Sequence, residues 1–466
     1  MVVFEGGRRC PAMVFNEKVL CGLGSDLQST GRLAPEGTAR ALHALKRFVA
    51  LAPGLKIGSL AGVATAAVRD AEDGQDFCAR VFEETGIRLD VASGEDEARL
   101  AAQGVLFGVP KAHGLVVDLG GASMELCPIR NGRSGAGVST PLGPLRLQYA
   151  PLAGLAAKAE LMRYQERYAE TARRLYLVGG SWRALGRVAI ERNNHPMSVL
   201  HEYRFDRESA LDVARFLTTS DDEEIGKLSG VSSGRVKHLP MAGMLLETLL
   251  DVFQTEDVVI SGFGLREGVC FEYLPLAIKR EDPLISTCLG QETTRARMPG
   301  FGKELGRWII DAIGPQDSDE DRLIRAACHL VDVSWRAHPD YRARSCIEVV
   351  TRVNVSGAGH RARAYMGAML LNRYKGGRKA MAAEPAMGLL TDERKDRASA
   401  IGALMRLGCT ISGATPGYLR RMPLSLDKDH LTLTLRGDAE VVMGEEIEKR
   451  LGQAARAFGV DPKVAT

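Results

Sequence analysis

This sequence of 466 residues lacks the marks of a membrane protein or of an oxidising compartment. No apolar run approaches the ~18 residues of a membrane span. The N-terminus shows no signal peptide, since Met1 leads through Val2-Val3-Phe4 into Glu5-Gly6-Gly7-Arg8. Nine cysteines (Cys10, Cys21, Cys78, Cys127, Cys270, Cys288, Cys328, Cys346 and Cys409) are scattered, and none forms a C-x-x-C pair. That excludes the common zinc and dithiol motifs, and an odd, unclustered count fits reduced thiols in the cytoplasm. A net charge of +3 carries no global signature of nucleic-acid or membrane binding, so local charge decides. Low-complexity segments and repeats of about 20–50 residues are also missing. What is present is an ordinary globular composition, 45% apolar and 26% charged, with chain enough for roughly two to four domains.

Along the first 280 residues, strand and helix signals alternate, which predicts an α/β layered architecture. Strands are expected at Val2–Phe4, Val14–Leu23, Ile57–Thr65, Arg88–Ala92 and Leu115–Leu119. Helices are expected at Pro35–Leu51, Asp70–Thr85 and from a Ser93 cap through Phe107, the last with Ala98, Ala101, Ala102 and Val105 on one face. The pattern then repeats loosely. A helix at Leu161–Arg174 and a strand at Leu175–Val178 run into Gly179-Gly180-Ser181. A helix around Pro240–Leu250 and a strand at Asp257–Ile260 run into Ser261-Gly262-Phe263-Gly264. Two similar lobes around a cleft follow, with ligands expected at the carboxyl ends of the strands. Beyond residues 280–290 strand signals nearly vanish. Helical patterns cover Phe301–Ile313, Asp319–Arg336, Ala362–Arg373, Asp392–Leu407 and Glu445–Phe458, with one short strand at Leu431–Leu435.

The most informative stretch is Val116-Val117-Asp118-Leu119-Gly120-Gly121-Ala122-Ser123-Met124-Glu125-Leu126. An apolar strand ends in a carboxylate, a glycine turn follows, and a second carboxylate comes after it. Glycine lets backbone N–H groups approach a phosphate closely. The carboxylates repel phosphate unless a hard divalent cation bridges them to it. The same turn is equally a plain hairpin, with Gly supplying positive φ. Glu97 stands in the first turn of a capped helix, where the macrodipole favours any acid and where Glu95 and Asp96 are equally available. Arg69 alone reads as a surface ion-pair residue.

Taken together, six segments in order resemble the exopolyphosphatase / guanosine pentaphosphate phosphohydrolase family. They are Leu23-Gly24 through Thr30-Gly31-Arg32-Leu33, Ala64-Thr65-Ala66-Ala67-Val68-Arg69, Ser93-Gly94-Glu95-Asp96-Glu97-Ala98-Arg99-Leu100, the Asp118 to Glu125 turn, Val178-Gly179-Gly180 and Ser261-Gly262-Phe263-Gly264. The resemblance implies two actin-like (ribonuclease H-like, sugar kinase/Hsp70/actin superfamily) α/β lobes, over residues 1–122 and 123–282. It implies a mainly helical, HD-like domain over residues 283–466. It makes Glu97 the catalytic base that activates water, and Asp118 and Glu125 the holders of Mg²⁺. Gly120, Gly121 and Ser123 become the phosphate loop, with Thr65 and Arg69 facing the cleft as further phosphate-binding residues. Gly179, Gly180, Gly262 and Gly264 match the second lobe's nucleotide-side turns, which need not bind a nucleotide in this family.

The expected activity is Mg²⁺-dependent release of terminal phosphate from inorganic polyphosphate. The alternatives are hydrolysis of guanosine pentaphosphate and a catalytically impaired relative that binds polyphosphate or nucleotide. No specific nucleic acid is expected as a partner, and a homodimer is expected by analogy with long members. The family's chains carry a first phosphate loop, D-x-G-S-N-S, ahead of the strand that here starts at Val2. That motif is absent from the sequence: either the start is assigned too far downstream, or the chain lacks half of its phosphate cradle, in which case weak or no turnover and a less stable N-terminal lobe are expected. No acidic residue lies between Glu348 and Glu384, a span that holds Arg352, Arg361, Arg363, Arg373, Lys375, Arg378 and Lys379. Arg361, Arg363, Arg373, Lys375, Arg378 and Lys379 are the expected polyanion track, although such a run is usually a solvated face. His329 and Asp332 are reminiscent of an HD metal pair but are not adjacent, so the domain is read as a binding scaffold, with His338 and His360 structural.

Overall fold

A computed structural model describes residues 1–147, 152–228, 230, 233–352, 355–374 and 377–466, the side chains of Leu145, Ser233 and Arg378 excepted. The chain divides into two compact units, each described by itself. The first comprises 1–6, 11–193 and 203–279, the second 7–10, 194–202 and 280–466.

In the first unit, β1 (Val2–Glu5) pairs antiparallel with β2 (Ala12–Asn16), and β3 (Gly62–Ala64) pairs parallel with β4 (Leu89–Val91). Each is a separate two-stranded sheet. The larger sheet uses β5 (Gly114–Leu119), β6 (Met124–Arg130), β7 (Arg133–Ser134), β8 (Val138–Thr140), β9 (Arg174–Val178), β10 (Tyr203–Asp206) and β11 (Asp257–Ile260). Its order is β10-β11-β9-β5-β6-β7, with β8 also on β6. β11, β9 and β5 run parallel, as crossover helices require, and their inner residues are continuously apolar. β5 and β6 are antiparallel neighbours joined by the 120–123 turn, in a register that sets Asp118 directly opposite Glu125.

Helices fall where capping and periodicity place them. Pro35–Leu51 begins with proline in its first turn and buries Ala41, Leu42 and Phe48; Phe77 and Val81 of Gly74–Thr85 belong to the same core. Ser93 and Asp96 form a reciprocal capping box at 3.1 and 3.3 Å, and the helix they open runs Gly94–Gly108. It packs tightly on Leu265–Glu272, because a Cβ on Gly268 would overlap the Leu100 carbonyl and one on Gly104 would overlap the Gly264 carbonyl.

Several expected elements are shorter. The strand from Val14 ends at Asn16, and the following apolar residues have no strand partner, leaving Leu20 79% exposed. Only Gly62–Ala64 of the stretch from Ile57 pairs. Leu161–Arg174 is broken into the end of Ala153–Met162, one turn at Gln165–Tyr168 and a 3₁₀ turn at Thr171–Arg173, where the Thr171 hydroxyl donates back to Tyr168 O.

The second unit is mainly helical around one core that includes Phe301, Leu305, Ile309, Met366, Leu370, Leu404 and Leu431. Phe301–Ile313 and Glu445–Phe458 form as expected. The helix from Ser318 stops at His329, because Asp332 and Trp335 turn to bind Arg297 and the Arg295 carbonyl. The expected single strand is one of three: β12 (Leu424–Leu426), β13 (His430–Thr434) and β14 (Asp461–Ala465), with β13 central. Two short segments from the N-terminal half enter this unit. Arg9 is fully buried in it, and His195 Nε2 lies 2.7 Å from His360 Nδ1.

The tight helix contact has a measurable cost. Gly268→Ala is expected to destabilise the protein by about 1–3 kcal/mol through overpacking, read as a lower denaturant midpoint with unchanged slope.

Candidate active site

The register of β5 and β6 builds the centre of the site. Directly opposite residues on adjacent strands have close Cβ atoms, and like charges there repel. Asp118 and Glu125 are such a pair. Burial first, offset by Arg183 and reinforced by Glu97 and Glu267, pushes the Asp118 carboxyl up to about 6. Burial and the Asp118 charge push Glu125 up to about 8, against hydrogen bonds from Ser123 and Ser139. The Ser139 hydroxyl donates to Glu125 Oε1 at 2.9 Å. Ser139 also lies against Gly94, the first residue of the helix that carries Glu97.

Glu97 is 8% exposed, and burial raises its pKa against the pull of Arg69. Arg69 Nη1 donates to Glu97 Oε1 and, at 3.1 Å, to Ala92 O, while its Nε donates to Asp70 Oδ1 at 3.0 Å. Arg69 is thus bound to the proposed base. Thr65 caps the short helix Ala66–Arg69 without a side-chain hydrogen bond. In the turn, Gly120 N donates to Ser123 O at 3.0 Å. Neither Gly120 nor Gly121 has positive φ, so left-handed backbone is not what glycine supplies here; both are accessible.

The second-lobe turns close on the same centre. Gly179 has φ +112°, and a Cβ there would come within 2.9 Å of Asp118 Oδ1. The Arg235 guanidinium lies over Gly180. Arg183 donates to Gly262 O at 3.2 Å, and Gly264 N donates to Glu267 Oε2 at 2.8 Å, so the Glu267 carboxylate caps its own helix start. Arg183 is held below the ordinary arginine range by burial, with Arg266 and Arg235 adding and Glu267 and Asp118 opposing. Lys18 is likewise lowered by desolvation and then by Arg235, Arg183 and Arg266. Arg266 Nη1 donates to Asn16 Oδ1 at 2.9 Å. A basic group of Lys18, Arg183, Arg235 and Arg266 therefore accompanies the carboxylates. Sequence reasoning missed it, although Arg183 sits three residues beyond Gly180 and Arg266 two beyond Gly264, glycines of the turns it had singled out.

Asp118 and Glu125 fit a hard divalent cation. They offer oxygen donors whose repulsion a cation relieves, and Mg²⁺ is commonly bound by one or two carboxylates plus substrate phosphates. Among the described residues no group of three or more His, Cys, Asp or Glu converges as a metal cage.

In the helical unit the expected polyanion track needs correction. Arg363 is fully buried, its guanidinium donating to the Ala358, Val350 and Val355 carbonyls, so it offers no surface charge. Arg373 is largely buried against Cys409 and Tyr374. Arg361 and Lys379 are exposed. Lys375 lies outside the described residues, as does the side chain of Arg378. His329 and Asp332 are engaged separately: His329 Nδ1 lies 2.5 Å from Glu292 Oε2, and Arg297 grips Asp332 through Nε and Nη2 at 2.9 and 2.7 Å. A guanidinium thus neutralises the carboxylate that a metal would need.

Comparison with known proteins places the chain among its relatives. A model of the Ppx/GppA phosphatase family matches residues 2–277, and one described as exopolyphosphatase, C-terminal, matches residues 286–464. The chain is 25% identical over 370 residues to Retrograde regulation protein 2 of Saccharomyces cerevisiae, covering 72% of this chain and 62% of that protein. It is 32% identical over 139 residues to Exopolyphosphatase 1 of Mycobacterium tuberculosis, covering 29% of this chain and 40% of that protein. The chain therefore spans less than two thirds of the length of either curated relative. A crystal structure of an exopolyphosphatase from Cytophaga hutchinsonii superposes with TM-score 0.53 at 22% identity, over 59% of this chain and 93% of that one. The likeness shows a shared mixed α/β fold, which a helical C-terminal part follows here. With the family model spanning residues 2–277, more than half of the chain, the chain belongs to the Ppx/GppA phosphatase family.

Proposed function

We propose that this chain hydrolyses the terminal phosphoanhydride of inorganic polyphosphate, using Mg²⁺ and a water activated by Glu97. The observation that carries the reading is the cross-strand pair Asp118–Glu125 with Glu97 and four basic side chains around it. Phosphoryl transfer needs positioning and charge stabilisation more than covalent chemistry. Bound between Asp118, Glu125 and the substrate, Mg²⁺ would neutralise phosphate charge. Gly120, Gly121 and Ser123 present backbone and hydroxyl groups to the terminal phosphate. Lys18, Arg183, Arg235 and Arg266 hold the rest of the anionic chain.

Glu97 accepts the water proton as the water oxygen bonds to phosphorus. The bond from phosphorus to the bridging oxygen breaks, and the shortened chain leaves with those electrons. Burial raises the basicity of Glu97, and Arg69 fixes its orientation. Arg69 is thus a positioning residue, and Thr65 shapes the short helix that presents it. Arg361 and Lys379 remain as exposed charges of the helical unit for a long polyanion.

A second reading, regulation by binding alone, is favoured by the relative that aligns over most of the chain and is named a regulation protein. Phosphate release from long-chain polyphosphate separates the two. Glu97→Gln is expected to lower kcat by about 10²–10⁴-fold while leaving Mg²⁺ binding within about twofold. No release by the unaltered protein from polyphosphate or guanosine pentaphosphate favours the regulator.

The raised carboxyls also predict how metal and pH couple. Asp118 and Glu125 bind protons in the folded, metal-free protein where the unfolded chain is ionised. Their contribution to metal-free stability is full below about pH 4 and lost as pH rises through about 6 and then about 8. Mg²⁺ must displace those protons. Its affinity, measured calorimetrically, is expected to rise between about pH 6 and 8, with proton release seen as buffer-dependent heats. Affinity flat across that range counts against Asp118 and Glu125 as the metal site.

A further inference from the structure

In the helical unit, Arg373 and Arg450, from two different helices, both lie near enough to Arg406 of a third to act on its charge. Arg373 lies at the end of His360–Tyr374, Arg406 in the C-terminal half of Asp392–Ser412, and Arg450 on Glu445–Phe458. The first two helices touch closely, since a Cβ on Gly402 would come 2.6 Å from Asn372 Cβ. Arg406 is one turn on from Gly402, and Arg373 is the neighbour of Asn372. Arg373 also hydrogen-bonds the Cys409 thiol, three residues beyond Arg406 on the same face.

Their charges are poorly balanced. Arg450 bonds Glu446, one turn away on its own helix, and Gln453 Oε1 at 2.8 Å. The carboxylate that offsets Arg406 is this same Glu446. Partial burial, and then Arg450 and Arg373, hold the Arg406 guanidinium below its ordinary range. The Nε–H groups of Arg373 and Arg450 are buried without a hydrogen-bond acceptor. Unsatisfied guanidinium donors crowded by like charge are costly unless an anion supplies the missing oxygens. Planar guanidinium groups match tetrahedral oxyanions particularly well.

We propose that Arg373, Arg406 and Arg450 form a phosphate-oxyanion site within the helical unit. Its ligand is a phosphoryl group carrying at least two negative charges, taken either from free orthophosphate or from the end of a polyphosphate chain. The site does not depend on the hydrolase reading, because none of its residues belongs to the α/β unit. It also gives Arg373 a role that an open surface track does not.

The test is thermal unfolding of the full chain without divalent metal, titrated with orthophosphate and separately with tripolyphosphate, against chloride at matched ionic strength. Phosphate is expected to raise the midpoint where chloride does not. R406Q is expected to need at least about tenfold more phosphate for the same rise, and R406K, which keeps the charge but not the planar fork, to fall between R406Q and wild type. Without phosphate, R406Q is expected to be as stable as wild type or more so, since it relieves repulsion. A response to orthophosphate identifies a site for the free ion; a response to tripolyphosphate alone identifies a site for the chain. The proposal is overturned if chloride reproduces the rise or if the R406Q and wild-type titrations superimpose. An R406Q protein less stable without phosphate also overturns it, because Arg406 would then be a structural partner.

Discussion

Asp118 and Glu125 face each other across two antiparallel strands, and their repulsion inside the protein organises what surrounds them. The hairpin fixes the register, so neither side chain can move away without breaking the ladder that holds β5 and β6 together. Ser139 and Ser123 donate to Glu125, and Arg183 opposes the charge of Asp118. Further out, Gly179 lets the second lobe approach Asp118 where any Cβ would intrude. In the proposed function, a cation and a phosphate chain would complete an arrangement that is costly in isolation. This matches the common observation that functional sites are places where local stability is given up.

The same logic extends to Glu97, the proposed base. Glu97 shares the low-dielectric surroundings of the pair, but Arg69 keeps one of its oxygens engaged. That division gives three carboxylates different characters without any change of residue type. Two compete for protons and suit a cation, and the third is oriented by a cation that is part of the chain.

Legibility in the sequence followed locality. The 118–125 turn, the Ser93 cap and the glycine turns at 179–180 and 262–264 could be read because each is set by neighbours within a few positions. The basic group could not, because Lys18, Arg183, Arg235 and Arg266 sit on separate elements and meet only through the fold. Arg363 was misread for the opposite reason. Charge counting cannot see that three carbonyls have drawn a guanidinium into the core. The strands expected from Val14 and Ile57 shrank because alternation of apolar residues does not guarantee a pairing partner. The three-stranded sheet of the helical unit was missed in part because β14 carries Pro462 and Lys463 and stays largely exposed.

The capture of residues 7–10 and 194–202 by the helical unit bears on how such a protein can be taken apart or recombined. The polypeptide passes from one unit to the other five times, not once. A cut at residue 280 would therefore not release two autonomous modules. The C-terminal fragment would lose the buried Arg9 and His201, and the N-terminal fragment would carry two segments whose folded surroundings had been removed. Exchange of the helical part between relatives would have to bring these two segments along, so the units are expected to be inherited as one block.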